Sequence, residues 1–444
     1  MSVVITEAGL TITPDGMITH RDRAFLLEYL DEAKRILCHE ADDAHLLSII
    51  KLQSSGKEIE MSDWRWLFRR HWLGIALLQA VGVVACGGAQ TGAPVPDMEA
   101  EVIPAGLTSD FVSRPLPNPT SEVILNWAPL PDGREWGSTA GIDIGPDDHV
   151  WAYDRCGGGL DGGCESNPEL DPIFKFDRHT GEVLTSFGAG LIVTPHGFHV
   201  DSDGNVWVTD FAGNEAGTKG HQVIKFSPEG EVLMRLGEAG VAGNGPGQLN
   251  EPCDVITAPN GDIFVSDGHS GQNPDPPPGS TGRILKFDSD GNFIKEWGDL
   301  GFRPGQFRTP HAMEFDSQGR LYVADRGNHR IQIFDQDGNL LEIYTQFSRI
   351  SGLYITDDDM LYAIDSESSV DRHPGWLTGV RIGPAVEDRV TAFVPPHAHE
   401  TRVLQGVAGE GVAIDSDGNV YAAEGPGSRP TAGGGITKYV AIGN

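Results

Sequence analysis

The sequence has few basic residues, few cysteines and no long apolar run. Lysine and arginine total 32 against 64 aspartate and glutamate residues, so the formal net charge is −32. Nucleic-acid binding needs a basic surface that neutralises phosphates, and this composition argues against such a partner. The longest apolar stretch, residues 72–85, is shorter than the roughly 20 residues of a membrane-spanning helix.

Glycine, by contrast, is abundant. The 58 glycines follow no Gly-X-Y period, which excludes a collagen-like fibre. Hydrophobic residues make up 39% and aromatic residues 8% of the chain, enough for a core, so wholesale disorder is excluded as well. Many glycines together with evenly spread aromatic residues indicate an all-β protein with many tight turns.

The first 120 residues predict export. Residues 61–86 contain a basic segment with Arg69 and Arg70, then the apolar stretch, then Ala85 and Cys86. This order is typical of a signal peptide, and Cys86 resembles the lipidated cysteine of a bacterial lipobox. The alternative is a buried helix that ends in a free cysteine. Residues 1–60, with a predicted helix over 24–52, are interpreted as a doubtful upstream extension, and residues 87–120 as a tether rich in Pro, Gly and Ala.

The predicted location is therefore the bacterial cell envelope, with a lipid anchor as the contact with the membrane. Cys156 and Cys164 flank a glycine-rich loop, and in an oxidising compartment this spacing predicts a loop disulfide. A metal site is the alternative, although the spacing is not that of a Cys-x-x-Cys motif.

A repeat begins at about residue 121. Each copy combines an apolar strand, an Asp-x-x-Gly type turn, a strand such as Val-Trp-Val-Thr-Asp and two further strands, which is the pattern of β-hairpins. Repeats of this length with four strands predict a β-propeller. Residues 121–127 are predicted to supply the outer strand that the last copy lacks, closing the ring. The six copies span residues 141–188, 197–237, 254–298, 312–345, 352–394 and 411–440.

The six copies share one register, so we predict six blades. In each copy, a turn residue lies eight positions after the residue that opens the inner strand. An acidic residue lies fourteen positions after that same opening residue. We interpret the acids as caps that accept hydrogen bonds from the turn that follows them. The opening residues are Ala140, His196, Cys253, His311, Ser351 and Glu410. The turn residues are Asp148, Gly204, Gly261, Gly319, Asp359 and Gly418. The acids are Asp154, Asp210, Asp267, Asp325, Asp365 and Glu424.

In a propeller blade, the first strand begins and the second strand ends at the same face, so the register predicts one polar channel mouth. Side chains from distant copies converge there, which is typical of an active site. We predict a metal held by His196, His311 and Glu410 from alternate blades, with one open position. His397, His399 and Cys253 compete with Glu410 for the third position. The alternative is a pair of solvated histidines. The remaining predicted mouth residues are Arg155, Arg326 and His269.

The stretch from residue 155 to 332 resembles peptidylglycine alpha-amidating lyase, a six-bladed propeller of NHL-type repeats. The resemblance lies in Pro-His-Gly-Phe-His-Val-Asp (195–201), Pro-His-Ala-Met (310–313) and Ala-Asp-Arg-Gly-Asn-His-Arg (324–330). It implies that His196 and His311 bind zinc and that Arg155 and Arg326 contact substrate. Glu410 stands at the third histidine of that family and His269 at its tyrosine. Gly411 replaces a calcium-binding carboxylate, which leaves a calcium site in doubt.

These observations predict a metal-dependent lyase acting on a small molecule or peptide as a monomer. The resemblance implies that the substrate is an α-hydroxylated N-acylglycine or peptide and that the products are an amide and glyoxylate. A zinc ion, or another divalent transition metal, would polarise the substrate hydroxyl while His269 relays its proton and the two arginines bind the carboxylate. The alternatives are a non-catalytic tethered propeller that binds a peptide or glycan, and a metal-dependent hydrolase such as a lactonase.

Overall fold

The structure is a computed structural model that describes residues 2–6, 9–13, 16–17, 116–157, 163–369, 372–397, 409–424 and 435–443. The predicted helix over 24–52, the export segment with Cys86, most of the predicted tether and His399 lie outside the described residues. The chain divides into two compact units, residues 1–104 and 105–444. In the first unit, the strands Ser2–Thr6, Gly9–Thr13 and Gly16–Met17 pair as an antiparallel sheet.

The second unit contains six antiparallel sheets of four strands each. Each innermost strand contacts the innermost strands of both neighbouring sheets, and that of blade 6 contacts that of blade 1. The all-β, six-bladed propeller predicted from the repeat is therefore confirmed. From blade 1 to blade 6, the innermost strands are Ile142–Ile144, Pro195–Val200, Pro252–Thr257, Pro310–Phe315, Gly352–Ile355 and Gly411–Ile414.

The other three strands of each blade follow outward in order. The second strands are Val150–Tyr153, Val206–Asp210, Ile263–Asp267, Leu321–Asp325, Met360–Asp365 and Val420–Glu424. The third strands are Ile173–Phe176, Gln222–Phe226, Arg283–Phe287, Arg330–Phe334, Gly379–Pro384 and Gly435–Ala441. The outer strands are Val183–Phe187, Val232–Leu236, Phe293–Trp297, Leu340–Tyr344, Ala392–Val394 and Thr120–Ile124.

Helical structure in the described part of the propeller is limited to short turns. They are the 3₁₀ turns Pro131–Gly133, His269–Gln272 and Arg326–Asn328 and the single α-helical turn Gly163–Ser166. Among the residues that the structure describes, no helix is long and apolar enough to cross a membrane. Cys156 and Cys164 are joined in a disulfide.

Blade 6 combines residues from both ends of the unit. Thr120–Ile124 pairs antiparallel with Gly435–Ala441, slightly earlier in the chain than the strand predicted over 121–127. The preceding residues also contact the propeller, because Pro117 and Pro119 accept backbone hydrogen bonds from Phe393 and Ile442. The last described residues of the segment predicted as a tether are thus packed against the ring.

The first hairpin of each blade turns as the register predicts. All six predicted turn residues have positive φ, between 59° and 87°. In blade 2, the Asp201 carboxylate accepts hydrogen bonds from the backbone of Asp203 and Asn205, and Gly204 takes the left-handed conformation that the turn requires. The apolar core lies between adjacent blades, as where Tyr153 of blade 1 packs beside Phe198 of blade 2.

The register acids have structural roles, and four of them bind a segment that the prediction did not include. Asp210 accepts hydrogen bonds from the backbone of Val193 and Thr194, which precede the innermost strand of the same blade. Asp154, Asp267 and Asp325 likewise accept from residues before their innermost strands. Asp154 and Asp325 also accept from the turns that follow them, as predicted, through Gly157 and Asn328. Asp365 does cap the turn that follows it. The reason is geometric, since the second strand ends beside the point where the chain enters the first.

Candidate metal centre

His196 and His311 lie at equivalent positions in blades 2 and 4, each as the second residue of an innermost strand. Their ring centroids are 4.7 Å apart. Nδ1 of His196 lies 2.8 Å from the Cys253 carbonyl oxygen, and Nδ1 of His311 lies 2.6 Å from that of Ser351. A carbonyl only accepts, so Nδ1 carries the proton and Nε2 keeps its lone pair, as in a metal-binding histidine.

Both Nε2 atoms are buried and have no hydrogen-bond partner among the described residues. Burial, together with the neighbouring positive groups, holds the pKa of each imidazole well below its usual range. The rings are therefore neutral near pH 7, which is the form that binds metals. Two Nε2 lone pairs that have no partner among the described residues fit a metal ion held by His196 and His311.

His269 completes the cluster from a loop of blade 3. One nitrogen of each of the three imidazoles lies within 4.8 Å of the others. The chain reaches this position through Gly268, whose φ is 126° and where a Cβ would lie 1.9 Å from the Thr281 carbonyl oxygen. The Arg326 guanidinium lies 3.2 Å from Nε2 of His269. Burial and that guanidinium lower the pKa of His269 to about 3.

The structure differs from the prediction at the third position. Glu410 precedes the innermost strand of blade 6 and does not belong to the cluster, whereas His269, predicted as the proton relay, does. The buried Cys253 offers its carbonyl to His196, and its Sγ lies against the Glu251 carbonyl. His397 lies beside Glu424 in blade 6, with Nδ1 3.5 Å from Oε1. The third member of the candidate cluster is therefore an imidazole from the turn after the second strand of blade 3.

Arg155 lies at the mouth, but each nitrogen of its guanidinium donates a hydrogen bond to a protein group. Nε donates to the Pro195 carbonyl at 2.9 Å, Nη1 to Ser138 Oγ at 3.2 Å and Nη2 to the Tyr153 hydroxyl at 3.3 Å. Tyr153 donates in turn to the His196 carbonyl at 2.7 Å. The fully buried Arg155 thereby fixes the backbone that carries His196.

Arg326 is also buried, with 1% exposure, but it keeps free donors. Nη2 approaches His269, while Nε and Nη1 have no hydrogen-bond partner in the part of the chain that the structure describes. Its nearest anion is Glu367, with Nη1 and Oε1 3.9 Å apart. An unsatisfied buried guanidinium is costly, and a carboxylate ligand would satisfy it.

Three residues at the mouth were not predicted from the sequence, namely Phe211, Arg349 and Glu367. The Phe211 ring is partly exposed, and its centroid lies 5.6 Å from that of His196 and 5.0 Å from that of His269. Phe211 follows the register acid of its blade at the offset of Arg155 and Arg326. Glu367 shares the offset of His269. The register therefore contained a signal for two of the three.

Glu367 forms the centre of a charged group at the edge of the mouth. Arg349 donates to it at 2.8 Å, and Arg372 pairs with the same oxygen. Although burial acts in the opposite direction, the Arg326, Arg349 and Arg372 guanidiniums lower the pKa of Glu367. Arg349 also donates to the Arg326 carbonyl at 3.2 Å and to Gln272. The mouth thus carries more positive than negative charge on this side.

The chain is similar in sequence to one repeat family and to several named proteins. The NHL repeat family model matches residues 307–334. The chain is 33% identical over 261 residues to peptidyl-glycine alpha-amidating monooxygenase B of Xenopus laevis, covering 56% of this chain and 27% of that protein. It is 31% identical over 214 residues to a probable peptidyl-alpha-hydroxyglycine alpha-amidating lyase of Caenorhabditis elegans, covering 45% of this chain and 56% of the relative. A gluconolactonase structure from Xanthomonas campestris superposes with a TM-score of 0.48 at 13% identity, covering 74% of this chain and 99% of that one.

Fold and repeat together define the chain as an NHL-repeat six-bladed β-propeller. The predicted resemblance to the alpha-amidating lyases is confirmed by the relatives just described. The chain spans about a quarter of the frog protein and about half of the nematode one.

Proposed function

We propose that the protein is a metal-dependent lyase that cleaves the C–N bond of an α-hydroxylated N-acylglycine or peptide. The observation that carries this proposal is the cluster of His196, His269 and His311, with two unpartnered Nε2 atoms, beside the unsatisfied guanidinium of Arg326. An imidazole cluster next to a buried anion site suits a substrate with a carboxylate close to the reacting atom.

His196 and His311 are proposed to hold the metal, together with His269 once its Nε2, which accepts a hydrogen bond from Nη2 of Arg326, is released to the ion. Three imidazoles with an open position are a known catalytic arrangement for zinc, whereas calcium prefers oxygen ligands. When bound, the metal would act as a Lewis acid on the hydroxyl oxygen of the substrate. The hydrogen bonds from Nδ1 to the Cys253 and Ser351 carbonyls would keep the rings of His196 and His311 aimed at the site.

Glu410 is proposed as the acceptor of the hydroxyl proton, so that it and His269 exchange the roles predicted from the sequence. Burial raises the pKa of Glu410, an effect that Arg326 and Arg155 partly oppose, and this brings the carboxyl nearer to the range of an effective base. The hydroxyl loses its proton, the C–N bond breaks as the carbonyl of glyoxylate forms, and the departing nitrogen takes a proton. The products are a primary amide and glyoxylate.

Arg326 is proposed to bind the substrate carboxylate, and Phe211 to contact the acyl part. Nε and Nη1 of Arg326, which have no partner among the described residues, can each donate a charge-assisted hydrogen bond to an anionic ligand. The Phe211 ring lies against two of the metal-site histidines and offers an apolar wall next to the reacting atom.

The direct test is the turnover of α-hydroxyhippurate by zinc-loaded protein, with benzamide and glyoxylate measured by chromatography. We expect both products from the unchanged protein and neither from the His196→Ala/His311→Ala double variant, which should also retain less than about a tenth of an equivalent of metal. His179→Ala, which removes an exposed histidine of blade 1, is the matched control. Absence of benzamide from fully loaded protein would eliminate this activity, and a protein that binds no metal would favour a binding module.

We further propose that the protein is exported and anchored by a lipid on Cys86, acting as a monomer on a small molecule or peptide and not on nucleic acid. The Cys156–Cys164 disulfide supports an oxidising compartment. The pairing of Thr120–Ile124 with the last strand supports closure of the ring by both ends of the unit. Mass analysis of the native protein tests the anchor. A mature chain that begins at lipid-modified Cys86 is expected, and one that retains residue 1 would contradict it.

A further inference from the structure

A second arginine lies beside Arg326, from a segment that the sequence analysis did not consider. Arg349 precedes the innermost strand of blade 5 and is 4% exposed. Its Nη1 donates to the backbone carbonyl of Arg326, and its Nη2 donates to Glu367. Its Nε, like Nε and Nη1 of Arg326, is buried without a hydrogen-bond partner among the described residues.

We infer that Arg326 and Arg349 together form the carboxylate site of this mouth, with Glu367 as the residue that positions both guanidiniums. Resting on the proposed function, this inference identifies the groups that select an anionic substrate. It replaces the predicted pair of Arg155 and Arg326, because each nitrogen of the Arg155 guanidinium already donates to Pro195, Ser138 or Tyr153.

Charge supports the same assignment. Two buried guanidiniums, those of Arg326 and Arg349, and the exposed Arg372 surround the carboxylate of Glu367, which leaves an excess of about one positive charge among the buried members of this group. Burial and the nearby Arg326 lower the pKa of Arg349, as expected where two cations are held close together. A second carboxylate would reduce this repulsion and satisfy the free N–H groups, whereas an uncharged ligand would not.

Geometry places this site next to the metal centre. Arg326 contacts Nε2 of His269 at 3.2 Å, and Arg349 contacts Gln272 at the other end of the 3₁₀ turn that His269 begins. An anion between the two guanidiniums therefore lies on the side of the mouth formed by blades 3, 4 and 5. Glu367 already spans Arg326 and Arg349 with one carboxylate, so their separation suits a group of this size.

The test compares two ligands of zinc-loaded protein that differ only in the anion, hippurate and hippuramide, by titration calorimetry. The unchanged protein is expected to bind hippurate more tightly. Arg349→Gln should weaken the binding of hippurate roughly 10- to 100-fold, because a charge-assisted hydrogen bond is lost, and should leave the binding of hippuramide unchanged. Arg389→Gln removes an exposed arginine of the same blade and should change neither. Arg349→Lys keeps the charge without the planar fork and should bind hippurate with intermediate affinity.

Equal hippurate affinity in the unchanged protein and Arg349→Gln would overturn the inference, as would no preference for hippurate over hippuramide. Circular dichroism checks that each variant is folded, and if Arg349→Gln is not, the Arg349→Lys result decides. Because binding is measured without turnover, the two proposals fail separately. Hippurate binding that depends on Arg349, in protein that does not convert α-hydroxyhippurate, would refute the lyase and keep the carboxylate site.

Discussion

Asp210 connects the stability of blade 2 to the position of His196, and its removal gives a measurable prediction. The carboxylate accepts hydrogen bonds from the backbone of Val193 at 3.1 Å and of Thr194 at 2.8 Å, immediately before Pro195 and His196. Asp210→Ala leaves two buried N–H groups without acceptors. At about 1–3 kcal/mol for each group, the expected loss is roughly 2–6 kcal/mol in the free energy of unfolding.

Asp210→Asn should behave differently, and pH separates the two variants. Oδ1 alone accepts from both amides, so an asparagine can keep these bonds at a cost of about 1 kcal/mol. Burial raises the pKa of Asp210 to about 7. Because the folded state then binds a proton more tightly than the unfolded state, this carboxyl makes folding less favourable as pH rises from about 4 to 7, by up to about 4 kcal/mol. Asparagine lacks this penalty.

Urea denaturation followed by tryptophan fluorescence at pH 5 and pH 8 provides the measurement. At pH 5, Asp210→Asn should be slightly less stable than the unchanged protein, and at pH 8 it should be equal or more stable. Asp203→Ala, an exposed acid in the hairpin of the same blade, controls for the loss of charge. If Asp210→Ala is as stable as Asp203→Ala, or if Asp210→Asn is equally damaging at both pH values, the assigned role of this carboxylate is wrong.

Three further predictions concern the site and its loop. Glu410→Gln should lower kcat for α-hydroxyhippurate by roughly 10²- to 10⁴-fold with little change in KM, and an unchanged kcat would remove Glu410 from the reaction. Phe211→Ala should raise the activation free energy derived from kcat/KM by about 1 kcal/mol more for the benzoyl substrate than for its N-acetyl counterpart. An equal rise for both substrates would contradict contact between Phe211 and the acyl group. Cys156→Ser removes the disulfide that joins two cysteines eight positions apart. In thermal unfolding, the free energy of unfolding should fall by about 2–3 kcal/mol under oxidising conditions and should not change under reducing conditions.

Periodicity made the scaffold predictable. The left-handed turn of each first hairpin falls where the register places it, from Asp148 in blade 1 to Gly418 in blade 6. A strand alternates faces every two residues, so a shared register also fixes which side chains share a face. This is why His196 and His311 were predicted at one mouth before any contact was known, and the structure places their rings 4.7 Å apart.

Loops made the rest of the site unpredictable. His269 reaches the cluster because Gly268 adopts a φ of 126°, a local choice that no repeat encodes. Arg349 stands three residues before its innermost strand, outside both offsets that the register compares. Glu410 does keep its register position, yet the loop bearing His269 provides the third imidazole instead. Register predicts where a strand begins, whereas loop conformation decides which side chain completes the site.

The blades next to those of His196 and His311 also contribute to the candidate metal centre. His196 of blade 2 is oriented by a carbonyl of blade 3, and His311 of blade 4 by a carbonyl of blade 5. Each ligand is therefore fixed across an interface between blades, and the tautomer that leaves Nε2 free depends on the spacing of neighbouring innermost strands. Substitutions that separate blade 2 from blade 3 should consequently weaken metal binding even when every histidine is retained. Equilibrium dialysis measures the zinc affinity of such variants, at concentrations corrected for the folded fraction of each protein. An unchanged affinity would show that the carbonyls do not orient the rings.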